Sequence, residues 1–211
     1  MKELNFAGKT TFNNLPDDKR ELILREAVRE FTVHGFRQAS VNRIVERTGI
    51  AKGSLYQYFA DKESLFLYVF GRFAELIKVT VREAAGEREG AFFTRLEQVM
   101  RAGERFVAGY PEYFRLYLKL AADQDIPHRA QLLGMLRLFP AEYFGPLLVQ
   151  GRREGMIRKD VRLEAMIFLV EGVIERFLQG LAEPTQPDVE QVAELITLLR
   201  GALAPSEEPT N

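Results

Sequence analysis

The sequence contains no cysteine and no tryptophan, only two histidines, and no apolar run of membrane-spanning length in its 211 residues. Without cysteine there can be no disulfide, no thiol nucleophile and no cysteine-based metal site. With His34 and His128 alone, acid–base chemistry centred on imidazole has little to draw on. No glycine loop is set to cradle a phosphate, and no aspartate-rich helix is set to hold magnesium diphosphate. Enzymatic readings therefore fare poorly, and no cofactor or metal is expected. Asp123, Asp125 and His128 lie close enough to suggest a metal site, but Asp125 ahead of Ile126-Pro127 reads more simply as a helix cap. The amino-terminal MKELNFAGKTTFNN lacks the apolar centre of a signal peptide, so the chain is expected in the cytoplasm, with no membrane partner.

Alternation of apolar and polar residues is also missing, and helical spacing takes its place. A composition of 46% hydrophobic and 28% charged residues is that of a folded globular chain. The net charge of −1 would count against a nucleic-acid partner, yet it conceals an asymmetry. Between Gly35 and Lys62 five basic residues (Arg37, Arg43, Arg47, Lys52, Lys62) face two acidic ones (Glu46, Asp61), so any phosphate footprint is confined to that segment.

The stretch SVNRIVERTGIAKGSLYQYFADK, Ser40 to Lys62, predicts two short helices joined by a tight turn. Val41, Ile44 and Val45 make the apolar stripe of the first, with Ser40 as its N-cap. Gly49 can adopt the left-handed conformation that ends it. The second runs from about Ala51 to Tyr58, with Leu55 and Phe59 inward and Lys52, Gly53, Ser54, Tyr56 and Gln57 left outside. That polar, donor-rich face suits a DNA major groove, where lysines neutralise phosphates and Ser, Tyr and Gln reach phosphates or base edges. A plain helical hairpin is the competing reading. It gives no packing reason for so many donors on one short surface.

The run TGIAKGSLYQYFADKESL resembles the DNA-binding signature of the TetR family of transcriptional regulators. Gly49, Ile50, Lys52, Gly53, Leu55, Tyr56, Tyr58, Phe59, Lys62, Glu63 and Leu65 fit its pattern, and Phe31, Gly35-Phe36 and Ala39-Ser40-Val41 fit upstream of it. Two positions depart. Ala51 stands where Ser or Thr is frequent, and Gln57, able to bond adenine N6 and N7 as a pair, stands where an aromatic residue or His is common. The set expected at DNA is Ser40, Arg43, Ala51, Lys52, Gly53, Ser54, Tyr56, Gln57, Tyr58 and Lys62. The resemblance implies a homodimeric repressor on a palindromic double-stranded DNA operator, released by a small-molecule effector. A ligand-independent architectural or cell-cycle DNA-binding protein of the same fold is the alternative.

The fold class expected is all-α, about nine helices: a three-helix helix-turn-helix domain joined by a long helix to a helical ligand-binding and dimerisation domain. Residues 1–15 read as a flexible tail, with a basic arm bearing Lys2 and Lys9 for the minor groove as the alternative. Residues 16–62 form the DNA-binding domain, 63–204 the second domain and 205–211 a tail. Pro16, Asp17 and Asp18 start the first helix, which stops at Gly35. Asp61 caps a helix to about Ala85, long enough to act as a lever, and EREG between Gly86 and Gly90 is a link. Further helices are predicted at about 91–108, 111–122, 127–153 (broken or kinked near Pro140 and Pro146), 162–181 and 187–203.

An aromatic middle suggests walls for a flat apolar or aromatic effector: Phe106, Tyr110, Tyr113, Phe114, Tyr117, Phe139, Tyr143 and Phe168, with Glu171 and Glu175 for a cationic group or an internal ion pair. Most such rings are ordinarily core. The last two helices are apolar over more of their circumference than one neighbour covers, which predicts a subunit interface through Ile167, Val170, Ile174, Phe177, Val192, Leu195, Ile196 and Leu199. The family resemblance implies the same four-helix interface, and packing within one subunit is the alternative.

Overall fold

The helical periodicity is realised throughout the computed structural model, which describes residues 4–86, 92–181 and 190–205, with the backbone alone at 85–86 and 137–142. Ten helices and no strand occur among these residues. They are α1 (Thr10–Asn13), α2 (Asp17–Gln38), α3 (Val41–Thr48), α4 (Lys52–Tyr58), α5 (Lys62–Gly86), α6 (Phe92–Gly109), α7 (Pro111–Ala122), α8 (Arg129–Arg153), α9 (Leu163–Leu181) and α10 (Gln191–Leu203). No helix among the described residues is long and apolar enough to cross a membrane. The link at 87–90, Lys2 and the tail from 206 lie outside the described residues.

Two compact units emerge: the chain up to Ile77 together with Tyr110–Leu133, and Lys78–Gly109 together with the chain from Gly134. Compactness thus assigns α7 to the same unit as the helix-turn-helix, since α7 packs along α2. Tyr113 and Tyr117 stack on Phe73 of α5 at ring separations of 6.4 and 6.0 Å, and Phe114, Leu116 and Leu120 are buried.

Gly35 explains how α2 ends. Its backbone leaves the helix at φ 67, ψ 170, and three more residues follow before Ala39. A Cβ here would lie 3.0 Å from the Asp123 carboxylate and 3.3 Å from Cε of Lys119, both ends of flexible side chains, so it is the conformation that calls for glycine.

Residues 4–15, expected to be a flexible tail, are instead packed. Phe12 on α1 is fully buried, with its ring 5.6 Å from Tyr58, 4.8 Å from Phe59 and 5.2 Å from Tyr68. Phe6 lies 6.3 Å from Phe70. Polar composition suggested disorder, but two phenylalanines six residues apart suffice to anchor the segment to α4 and α5.

In the second unit α6 packs on α9 and α10. Its core joins Phe92, Phe93, Leu96 and Met100 of α6, Phe144, Leu147 and Leu148 of α8, Met166, Val170, Ile174 and Phe177 of α9, and Val192, Ile196, Leu199 and Leu203 of α10. The helix expected to break or kink near Pro140 and Pro146 runs unbroken from Arg129 to Arg153. Each proline forfeits a ladder hydrogen bond, at about 3 kcal/mol in a helix interior, yet the helical assignment continues through both positions. The loop GMIRKD closes onto α10: the Arg158 N–H donates to Leu203 O at 2.8 Å and its guanidinium donates to Asp160. That pairing holds the Asp160 carboxyl down to about 2.

Candidate nucleic-acid interface

The expected turn is formed as the spacing requires. Gly49 caps α3 in the left-handed region at φ 67, and Thr48 returns its hydroxyl to Ile44 O at 2.8 Å. In α4, Leu55 and Phe59 are buried, while Lys52, Gly53, Tyr56 and Gln57 face outward and Ser54 is half-buried. These positions, i, i+1, i+4 and i+5, make one continuous helical face. Tyr56 is 42% exposed.

Between α2 and α3 sits a carboxylate that the sequence reading missed. Glu30 of α2 has no exposed surface, yet it is fully engaged. Oε1 accepts the Ser40 backbone N–H at 2.8 Å and the Arg43 Nε–H at 2.7 Å, and Oε2 accepts from Arg47 at 3.2 Å. His34 lies 3.7 Å away. Burial alone would raise the Glu30 pKa, but the hydrogen bonds from Arg43 and from the Ser40 amide outweigh it and hold the carboxyl below the ordinary glutamate range. The available signal was Glu30 itself, a carboxylate on the same α2 stripe as Ile23 and Ala27, opposite arginines four apart on the next helix.

Several expected DNA contacts are therefore engaged within the protein. Arg43 is tied to Glu30 and to Gln38 O, Arg47 to Glu30, and Arg37 to Asp125 at 3.2 Å. Lys62 donates to Arg37 O and Ala39 O at 3.0 and 3.1 Å, with its ammonium 4.8 Å from the Phe36 ring centroid. It satisfies carbonyls where α2 ends. Tyr58, expected on the DNA face, is a core ring against Phe12. Ser40 occupies the N-cap position of α3, but its side chain makes no capping bond, and the Ser40 amide serves Glu30 instead. Of the five basic residues from 35 to 62, Lys52 alone has no ion pair or hydrogen bond among the described residues.

Asp61 caps α5 as expected: its Oδ1 accepts the Ser64 N–H at 2.7 Å, and the Asp61 N–H donates to Ser64 Oγ. Asp125, expected to cap the next helix, pairs with Arg37, while His128, at φ 57, meets Glu63 at 2.9 Å.

The residues expected around an effector are divided between the units. Tyr110, Tyr113, Phe114 and Tyr117 belong to the first, and Phe106, Tyr143, Phe168, Glu171 and Glu175 to the second. The Phe139 side chain lies outside the described residues. Phe168 is 79% exposed on α9, too far from the core to line an interior wall. Among the described residues, the Tyr143 hydroxyl, Arg95 Nε, Gln98 Oε1 and Arg152 Nε of the second unit are buried without a hydrogen-bond partner. Burial pushes the Tyr143 phenol above its ordinary range, opposed by the charge of Arg95. Of the residues expected at a subunit interface, Val170, Ile174, Phe177, Val192, Ile196 and Leu199 belong to this protomer's own core, with Ile167 and Leu195 half-buried against it. The large apolar residues left exposed on these helices are Phe168, Leu169 and, at 69% exposure, Leu198.

Comparison with known proteins places these features in company. The sequence profile "Bacterial regulatory proteins, tetR family" matches residues 23–69, which span α2, α3, α4 and the start of α5. The HTH-type transcriptional repressor AcnR of Corynebacterium glutamicum is 28% identical over 193 residues, covering 89% of this chain and 94% of the relative. A crystal structure of a TetR family transcriptional regulator from Chloroflexus aurantiacus is similar at a TM-score of 0.76 and 27% identity, covering 93% of this chain and 98% of that one. The transcriptional regulator FadR from Bacillus subtilis, solved in complex with stearoyl-CoA, shares the fold at a TM-score of 0.70 and 18% identity, covering 85% and 96%.

Replacing Glu30 with Gln should destabilise the first unit by about 3 kcal/mol, because Arg43 and Arg47 lose their counter-charge while remaining where they are. The sign of the pH effect follows from the lowered pKa. The contribution of Glu30 is complete above the ordinary glutamate range and is lost as the pH falls through its own depressed value. Urea unfolding followed from pH 7 down to pH 3 should therefore show a steeper acid loss in the wild type than in Glu30→Gln.

Proposed function

Because the chain belongs to the TetR family of bacterial regulatory proteins, we propose that it is a homodimeric repressor that reads a duplex operator with α4 and leaves it when a small ligand binds. The observation that supports this most directly is the outward face of α4, where Lys52, Gly53, Tyr56 and Gln57 are exposed beside buried Leu55 and Phe59. Lys52 neutralises a phosphate, Gly53 allows close backbone approach, and Tyr56 and Ser54 bond phosphates or base edges. Gln57 reads a base by its amide, and the Ala51 methyl can meet a thymine methyl. With most nearby cations held by Glu30, Asp125 or backbone carbonyls, one subunit has little charge to spend on DNA. Two subunits spaced about one helical turn apart (~34 Å) double the contacts and make the operator palindromic.

An operator selected by the wild-type chain from a random duplex library provides the test. Gln57→Ala should relax the preference at particular base pairs by about 1–3 kcal/mol. Lys52→Ala should weaken all sequences alike and flatten the dependence of log K on log salt by about one unit per site. A Gln57→Ala protein with every base preference intact would contradict base reading by α4.

The dimer is assigned to the outer side of α9 and α10, where Phe168, Leu169 and Leu198 are exposed and Gly172, Gly201 and Ala202 leave room for close approach. Phe168→Glu with Leu198→Glu should yield a monomer by light scattering with unchanged helical circular dichroism. A mass that stays dimeric would move the interface elsewhere.

For the effector, the buried and unpartnered Arg95 Nε, Gln98 Oε1 and Tyr143 hydroxyl support a ligand with an apolar or aromatic body and an anionic or acceptor group, since buried polar atoms are ordinarily satisfied. Thermal-shift screening with aromatic and aliphatic acids should find compounds that raise the melting temperature. Arg95→Ala and Tyr143→Phe should remove that shift, and a shift indifferent to both would place the ligand at other residues.

A further inference from the structure

The amino-terminal segment does more than cover the first unit. A helix leaves its last four carbonyls without intrahelical partners unless something outside supplies donors. In the seven-residue α4 the Leu55 carbonyl accepts the Phe59 N–H at 2.9 Å. The next three carbonyls are each taken by the segment around α1. Tyr56 O accepts from Lys9 Nζ at 3.1 Å, Gln57 O from the Thr11 hydroxyl at 3.1 Å, and Tyr58 O from the Lys9 backbone N–H at 3.2 Å. The positive charge of Lys9 also stands at the negative end of the helix. Phe12 fixes the segment from below by packing on Tyr58, Phe59 and Tyr68. Gly8 permits the path, since a Cβ there would lie 3.0 Å from the Tyr68 ring.

Two of the three residues whose carbonyls are held, Tyr56 and Gln57, have side chains that face outward, while the third, Tyr58, is buried. Tyr56 and Gln57 sit on the last turn of α4, where a short helix frays most readily. The geometry points to Lys9 and Thr11 as specificity-determining positioning residues: they clamp the carboxy-terminal turn of α4 and so fix where Tyr56 and Gln57 meet the operator. This rests on the reading of α4 as the element that reads DNA. The clamp acts through backbone carbonyls, so its loss should blur discrimination between base pairs more than it reduces attraction to phosphates.

The experiment uses the full chain, with an operator selected by the wild type from a random duplex library and a scrambled duplex of equal length. Binding is followed by fluorescence anisotropy. Thr11→Val removes a donor with no change in charge or volume, and one hydrogen bond corresponds to roughly threefold to tenfold in affinity. The operator-to-scrambled ratio should fall by about that factor in Thr11→Val, with the melting temperature within a few degrees of the wild type. Thr11→Ser, which keeps the hydroxyl, should retain the ratio. Lys9→Met should lower the ratio as well. An unchanged ratio in both Thr11→Val and Lys9→Met, or equal losses on operator and scrambled duplex, would overturn the clamp. A wild-type chain that selects no sequence at all would instead overturn the DNA-reading assignment, and the two failures are distinguishable.

Discussion

The buried carboxylate of Glu30 is the interaction on which the first unit depends. A charge with no exposed surface costs several kcal/mol in desolvation, and only a full set of partners offsets that. Here the partners come from the turn and the next helix: the Ser40 amide at the entry to α3, Arg43 one turn in, and Arg47 one turn further. One side chain thus sets both the position where α3 begins and the direction in which it runs. Because α4 follows through a turn of only three residues, its attitude is inherited from this contact.

The same contact has a cost for affinity. Arginines that a count of charges assigns to phosphate are committed to holding the protein together, and Lys62 is likewise occupied with the end of α2. The formal excess of positive charge between 35 and 62 therefore overstates what is available to DNA. The polar face of α4 is the part of this segment that stays free of such internal commitments.

What could be read from the sequence divides along physical lines. Helix limits were legible to within a few residues because apolar spacing, Gly49, Pro16 and Asp61 act locally. The α4 face was legible because burial of Leu55 and Phe59 fixes by geometry which neighbours point away. The roles of Arg43, Lys62 and Tyr58 were not, since each depends on a partner distant in sequence: Glu30, the carbonyls of Arg37 and Ala39, and Phe12. The packed amino-terminal segment escaped notice for the same reason, because polar composition outweighs two aromatic anchors in any local reading. The apolar spacing of α9 and α10 was legible, but spacing alone does not say which face meets the chain's own core. The structure gives that face to Val170, Ile174 and Phe177 and leaves Phe168 outside. Likewise α7 was legible as a helix while its neighbour, α2, was not.

The length of α4 carries a consequence for how its outward face can change over time or be moved by design. Seven residues are about half of what an isolated helix needs to persist in water. The helix is therefore a property of its seat, formed by Leu55 and Phe59 below, the Gly49 turn before it and the Lys9–Phe12 segment behind. Substitutions on the outward face are structurally cheap, whereas changes to the seat unsettle the helix itself. Grafting the α4 sequence into another scaffold would carry the residues without the seat that makes them a helix.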